Sequence, residues 1–556
     1  MNRETEKFFA EIPELNRPRS KFKIPFRHRT TLSLGKCYPL YWTEILPGDT
    51  VKMKMSSVIR MSTPLYPTMD NLVVDHLFFF VPTRLLWTHW VNFWGENPSA
   101  WYQNVEYEVP QVKTYGLSVF KEKSIADYMG LQCNVEGLSV SALPFRGLVK
   151  IWNDWFRDEN LQQEATLTLG DTAEYADTES RLGGNLLVAN KLMDYFTAAL
   201  PAPQKGNEVL LPLGNLAPVY SLNKVTPNYT GAYGGTTEDK LYWRTTGTNL
   251  LEAGKYYNIT ARRNSGNGYA DSTIAGAEVN SDDLNGTVLS PRNLWTDLSS
   301  ATAATVNELR QAFAIQRFFE AQARGGTRYI EFLKNIFGVT SPDARLQRSE
   351  YLGGKRIPFN IYQVNQQSAT DENSPLGTTG GFGHMADQDN YFTKSFTEHG
   401  YLYGITVIRI HKHTYQQGIE RAWSRKKFTD YYLPQFSNLG EQEIKVKEIY
   451  AQTGANMEDV FGYQERYAEY RYKPNIVSSE MKSSYATSLD AWHYADDYES
   501  QPILGSTWIK EDSAVIDRTL AVSGNTADQF IADCAYDPTF VRCMPLFGVP
   551  GLIDHF

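Results

Sequence analysis

Polar and apolar residues alternate at the start of Val51–Arg60, the period of a strand with one buried face, and Pro47–Gly48 supplies the turn before it. In Asn71–Val81 the second half, Leu77–Val81, is apolar at every position, as in a strand covered on both sides. The period then lengthens. Thr83 is placed to cap a helix with the stripe Leu86, Trp90 and Phe93, ending near Gly95 with Pro98 beyond it. Leu143–Phe156 reads as a second amphipathic helix. Helical spacing returns where Thr305 and Glu308 form a capping box. Leu309 and Phe313 continue it to Gly325–Gly326; Ile330, Leu333 and Phe337 resume it, with Gly338 as C-cap. The last third is β again. In Tyr401–His413 one face carries Tyr403, Ile405, Val407, Arg409, His411 and His413, and the other Leu402, Thr406, Ile408, Ile410 and Lys412. Glu443–Tyr450 alternates as a further strand.

Between the β-rich parts the texture changes. Residues 205–292 are rich in Gly, Thr, Asn and Ser, with turn chemistry at Gly234–Gly235 and Asn264–Gly268 and apolar pieces such as Leu241–Trp243. This predicts an inserted, exposed β-rich subdomain, too aromatic for coil. The expected division is a basic arm over 1–30, a first part of the core over 31–204, the insertion over 205–292, and a second part over 293–556. The last stretch ends in the apolar, Pro/Gly-punctuated Pro545–Phe556, which needs its own core or a neighbour to dock on.

At 556 residues the chain has room for several domains or one large β domain with insertions. An aromatic share of 13% suits strands and contact surfaces. A net charge of −9 excludes a protein that coats nucleic acid over its whole surface, and leaves room for a local basic patch. The four cysteines (Cys37, Cys133, Cys534 and Cys543) are too few for a disulfide scaffold and form no CxxC pair, which excludes zinc and thioredoxin-like sites and predicts folding in a reducing cytoplasm. Residues 1–7 lack the apolar stretch of a secretory signal, so the sequons at Asn228, Asn258 and Asn285 read as chance; Leu77–Val81 is too short to cross a bilayer.

The sequence holds no Walker A loop, GxSxG elbow, HExxH helix or EF-hand. Carboxylates pair at Asp282–Asp283, Asp387/Asp389 and Asp496–Asp497, commoner as turns and solvated faces than as catalytic dyads. His411 and His413 share a strand face as two metal ligands would, but no third ligand has readable spacing. Trp87, Trp90 and Trp94 would make a sugar platform, although helical spacing favours packing. No catalytic residue, metal or cofactor is expected.

Two stretches carry candidate binding chemistry. Arg17, Arg19, Lys21, Lys23, Arg27 and Arg29 lie in an acid-free run that Pro18 and Pro25 keep from becoming helical. With Phe22 and Phe26 interleaved, its composition fits phosphates and unpaired bases; it equally fits an arm lying on a neighbouring subunit. The second stretch, Phe461–Pro474, packs Tyr463, Tyr467, Tyr470 and Tyr472 among Arg466, Arg471 and charges of both signs. Tyr and Arg in this density mark subunit interfaces, with an ordinary segment covering its own core as the alternative.

Phe461–Pro474, together with Leu46–Thr50, Asp75–Thr83, Glu350–Gly354 and Tyr431–Phe436 in that order, closely resembles the major capsid proteins of gokushoviruses, small single-stranded-DNA phages of the Microviridae. The resemblance implies a mainly β fold, an eight-stranded antiparallel jelly roll with long loop insertions and a few helices. It implies sixty copies, meeting in pentamers and at threefold axes, that build a T=1 icosahedral shell around circular single-stranded DNA in the bacterial host cytoplasm. The central insertion would form a threefold protrusion that meets a host surface receptor. A small basic DNA-binding protein, a minor spike or pilot protein and a scaffolding protein would be its partners in the phage. The family's work is assembly, with no catalytic residue to carry over. The competing class is a carbohydrate-binding or carbohydrate-active β protein, raised by the aromatic content; particle formation separates the two.

Overall fold

The computed structural model describes residues 19–96, 106–207, 306–368, 375–522 and 526–547, isolated positions between them, and only the course of short strands within 208–305. The chain divides into two compact units, residues 1–205 with 320–556, and residues 206–319.

The larger unit is built on ten antiparallel strands: β1 (Ser20–Lys23), β2 (Phe26–Leu32), β3 (Tyr38–Ile45), β4 (Thr50–Met61), β5 (Leu72–Pro82), β6 (Glu350–Asn365), β7 (Thr379–Ser395), β8 (Gly400–Ile410), β9 (Phe530–Tyr536) and β10 (Thr539–Arg542). They pair in the order β1-β10-β4-β7-β6-β5-β8-β3, with β9 between β2 and β4. Pro25 and Pro538 explain the short pieces, because proline has no N–H to give a ladder. The interruptions lie side by side, and Ile24 N donates to Pro538 O at 3.2 Å across them. Counted as continuous runs, β1–β2 and β9–β10 reduce the ten strands to eight. One half of the sheet is then (β1β2)-(β9β10)-β4-β7 and the other β3-β8-β5-β6, joined by the pairing of Asn360–Asn365 with Thr379–His384. This curled, mainly β arrangement is a jelly roll.

Strand periodicity decides what lies between the halves. β4 turns Val51, Met53, Met55, Ile59 and Met61 inward and Lys52, Lys54, Val58 and Arg60 outward. The inner core also takes Val74, Phe78 and Phe80 from β5, Leu402 and Ile408 from β8, and Phe530, Tyr536 and Phe540 from the last two strands. β5 and β8 are buried on their other face too. Phe79, Val81, Tyr403, Ile405 and Val407 meet helix α1 (Leu143–Ile151) through Leu143, Phe145, Leu148 and Ile151. Contact is closest at Gly147, where any Cβ would collide with the Tyr403 hydroxyl, which donates to Pro144 O at 2.7 Å. A third cluster, including Phe196, Tyr415, Ile444, Phe461 and Trp508, underlies the hairpin of Glu441–Lys445 and Val460–Glu465.

The smaller unit contains a four-stranded antiparallel sheet in the order Ala270–Ala275, Tyr257–Arg263, Tyr242–Thr245, Leu289–Pro291, and a separate pair, Val219–Ser221 with Leu294–Thr296. In sequence it falls in the connection from β5 to β6.

Two expectations change, and a third holds. The helix predicted from Thr83 is a 3-10 turn, Thr83–Leu85, and a separate short turn, Trp90–Phe93; the Thr83 side chain makes no cap, and Trp87 between them is buried in the outer core. The strand predicted over Glu443–Tyr450 stops at Lys445, where Val446–Glu448 turns and the Glu448 carboxylate accepts from Lys445 N at 3.0 Å. The helices after 305 form as α2 (Val306–Gly325) and α3 (Tyr329–Phe337), with Gly338 at φ +69° ending the latter. Thr305, like most of Pro545–Phe556, lies outside the described residues.

Candidate assembly and nucleic-acid surfaces

The acid-free basic run is part of the sheet. β1 pairs with β10 and β2 with β9, which brings cations from one part of the chain against acids from another. Arg27 donates through Nε to Asp533 Oδ1 at 2.7 Å and pairs with its second oxygen, while Arg29 Nε lies 3.7 Å from Asp533 Oδ2. Lys23 pairs with Asp537 at 2.9 Å. Hydrogen bonding to Arg27, above all, holds the Asp533 carboxyl below the usual range. Arg19 and Lys21 are exposed, and Arg17 lies outside the described residues. Phe22 packs against the inner core, so it cannot stack on bases; Phe26 is 45% exposed and rests near Tyr41 and Tyr536. Three cations that the sequence reading passed over, Lys52, Lys54 and Arg60, share the outward face of this half. Their signal was the alternation of β4 itself, with charge at every second place.

Phe461–Pro474 divides between a strand and a turn. Val460–Glu465 is a strand, and Tyr463 exchanges both backbone hydrogen bonds with Leu200 (2.7 and 2.8 Å). Tyr467 then takes φ +66°, unusual outside glycine, and Ala468–Arg471 makes one 3-10 turn. Tyr467 is buried, and Tyr472 stacks on Tyr195 with centroids 5.0 Å apart. Tyr470 is half exposed. Its ring lies 4.4 Å from the Arg425 guanidinium, and its hydroxyl accepts from Tyr432 N at 3.0 Å. Arg471 pairs with Glu465, and Arg466 lies over the Tyr467 ring at 5.1 Å. The run thus meets Tyr432 of the Tyr431–Phe436 stretch in space; Trp423 and Phe428, nearby in sequence to that stretch, are also exposed.

The candidate chemical groups are satisfied internally. Asp387 and Asp389 both hold Lys355, at 2.6 and 2.9 Å, which accounts for the pair without a cation. His411 is exposed, whereas His413 is buried between Asp496 Oδ2 (3.0 Å) and Glu511 Oε2 (3.3 Å). Burial disfavours the imidazolium, but the two carboxylates outweigh it and raise the His413 pKa to about 10. A protonated ring donating to two acids is an ion cluster rather than half a metal site. Among the described residues no three His, Cys, Asp or Glu side chains gather as a metal site, and no helix is long and apolar enough to cross a membrane. Asp282 and Asp283 lie outside the described residues.

Residues 10–552 match the family of phage capsid proteins described as capsid protein (F protein). Capsid protein VP1 of Spiroplasma virus 4 is 40% identical over 552 residues, covering 96% of this chain and 95% of the relative. Capsid protein VP1 of Bdellovibrio phage phiMH2K is 40% identical over 560 residues, covering 100% and 99%. Capsid protein VP1 of Chlamydia phage 1 is 36% identical over 594 residues, covering 98% and 97%. These matches run through the jelly-roll strands and both candidate surfaces, and they decide for a structural protein over a carbohydrate-active enzyme. The chain belongs to the F capsid protein family of Microviridae phages and is a virion component that works as one of many copies.

Proposed function

We propose that the chain is the coat subunit of a T=1 icosahedral shell, sixty copies enclosing circular single-stranded DNA, assembled in the bacterial host cytoplasm. The observation that carries this reading is a capsid-family match over residues 10–552 of a chain with an eight-run jelly roll. Electron microscopy of the purified protein tests it. Small isometric particles or pentameric pieces are expected; a small oligomer that never closes a shell would count against it.

Within this reading the basic face around Arg17, Arg19, Lys21, Lys23, Arg27 and Arg29 lies against the genome, where cations such as the exposed Arg19 and Lys21 offset the repulsion of confined phosphates. Changing all six to Gln should lower DNA content per shell at unchanged shell yield. Full shells with normal DNA would hand that task to a small basic partner protein. Tyr463, Arg466, Tyr467, Tyr470, Arg471 and Tyr472 sit at or beside a subunit contact, supported by the exposure of Tyr470 and of Tyr432, which it touches. Residues 205–292 form the threefold protrusion that meets a host receptor. The scaffolding protein and the minor spike or pilot protein engage the shell during assembly.

A further inference from the structure

The outward face of the (β1β2)-(β9β10)-β4-β7 half holds two kinds of cation. Lys23, Arg27 and Arg29 are engaged by Asp537 and Asp533. Lys21, Lys52, Lys54 and Arg60 are exposed and make no ion pair with any described residue. We propose that Lys21, Lys52, Lys54 and Arg60, rather than Arg27 and Arg29, carry the contact with DNA, and that they take the sugar–phosphate backbone of a single strand without regard to base. This rests on the reading that the chain encloses DNA.

The cost of binding separates the two sets. A phosphate reaching Arg27 must displace a carboxylate already held by both of its oxygens, whereas one reaching Lys52 displaces only water and counterions. Register places three of the free set near one another. Lys21, Val541 and Thr50 lie on one rung across three strands, two residues along β4 from Lys52, so Lys21 and Lys52 are about 12 Å apart. Along β4, Lys52 and Lys54 project from alternate positions, about 7 Å apart. Lys54 faces Asn390 on β7, beside an open trough of about 400 Å³ lined also by Ser56, Gln388 and Ala535. Asp537 and Asp389 border the trough too, and each is already held by a lysine, Lys23 and Lys355. With Phe22 turned into the core, the arm offers little stacking, so charge dominates and base identity is not read.

Two triple variants, K52Q/K54Q/R60Q and K23Q/R27Q/R29Q, should be compared as particles for DNA per shell, and as dissociated subunits for oligo-dT affinity across a salt series. The first should reduce DNA per shell and lower the slope of log affinity against log salt by about 2, three contacts at about 0.7 each. The second should change both far less. The reverse result, or no effect from either set, overturns this assignment while leaving DNA enclosure standing; native particles that hold no DNA overturn both. Should the β4 variant fail to assemble, acetylation of native particles decides. Lys52 and Lys54 should be protected in full shells and labelled in empty ones, and equal labelling overturns the proposal.

Discussion

Two buried histidines are driven in opposite directions by their partners. His76 lies between the Ser57 hydroxyl (3.0 Å from Nε2) and the Thr406 hydroxyl (2.9 Å from Nδ1), and burial pushes its pKa down to about 4. His413 is charged between two acids, with its pKa raised to about 10 against the cost of burial. The signs follow by linkage. The stability from neutral His76 is complete above its unfolded value near 6.5 and is lost as pH falls toward about 4. That from charged His413 is complete below 6.5 and is lost as pH rises toward about 10. Stability should therefore peak near pH 6.5, each limb falling by on the order of a few kcal/mol, as read by urea midpoints across pH. His413→Gln should cost about 3 kcal/mol near neutrality, by leaving Asp496 and Glu511 face to face, and should flatten the alkaline limb. A native curve level from pH 7 to 9.5 would contradict this. Arg471 offers a different test. Its exposed pair with Glu465 is worth under about 1 kcal/mol to the folded subunit, so Arg471→Ala should leave subunit melting unchanged and lower particle yield. Normal yield for both Arg466→Ala and Arg471→Ala would remove this stretch from the subunit contact.

At the scale of elements, β5 shows why an unbroken apolar run was needed. Phe78 points into the sandwich and Phe79 toward α1, both almost fully buried. Phe78→Ala and Phe79→Ala should each destabilise the subunit by about 3–5 kcal/mol in denaturant titrations. A much smaller loss for Phe79→Ala would mean that α1 does not pack there in solution. The periods of β4, β5 and β8 were legible because each strand's burial is written at every residue, alternate in β4 and continuous in the other two. Segments ruled by one local contact were not legible. The Thr83 stripe broke into turns because Trp87 is drawn into the outer core, and Glu443–Tyr450 stopped early because Glu448 folds back on Lys445. The candidate basic surface was half legible. Periodicity shows that Lys21 and Lys23 share a face, but nothing near Arg27 shows that its acid stands at Asp533.

At the scale of the molecule, residues 206–319 form a compact unit within the connection from β5 to β6. Replacing 205–292 by a short Gly/Ser bridge should leave shells intact and abolish attachment to host cells, with shell yield and adsorption as the two readouts. Loss of folding in the jelly roll would show that this stretch belongs to the core. The pairing of β2 with β9 has a consequence of another kind. Arg27 and Asp533 are 506 positions apart, and closing a loop of that length costs about 5–6 kcal/mol of chain entropy before any contact repays it. On the ribosome β2 emerges first and waits, since β9, which lies between it and β4, is translated nearly last. A messenger cut short, or a polypeptide released early, leaves that slot open. Such products lack a finished sheet and should be left to proteases, so the order of synthesis itself restricts the shell to completed chains.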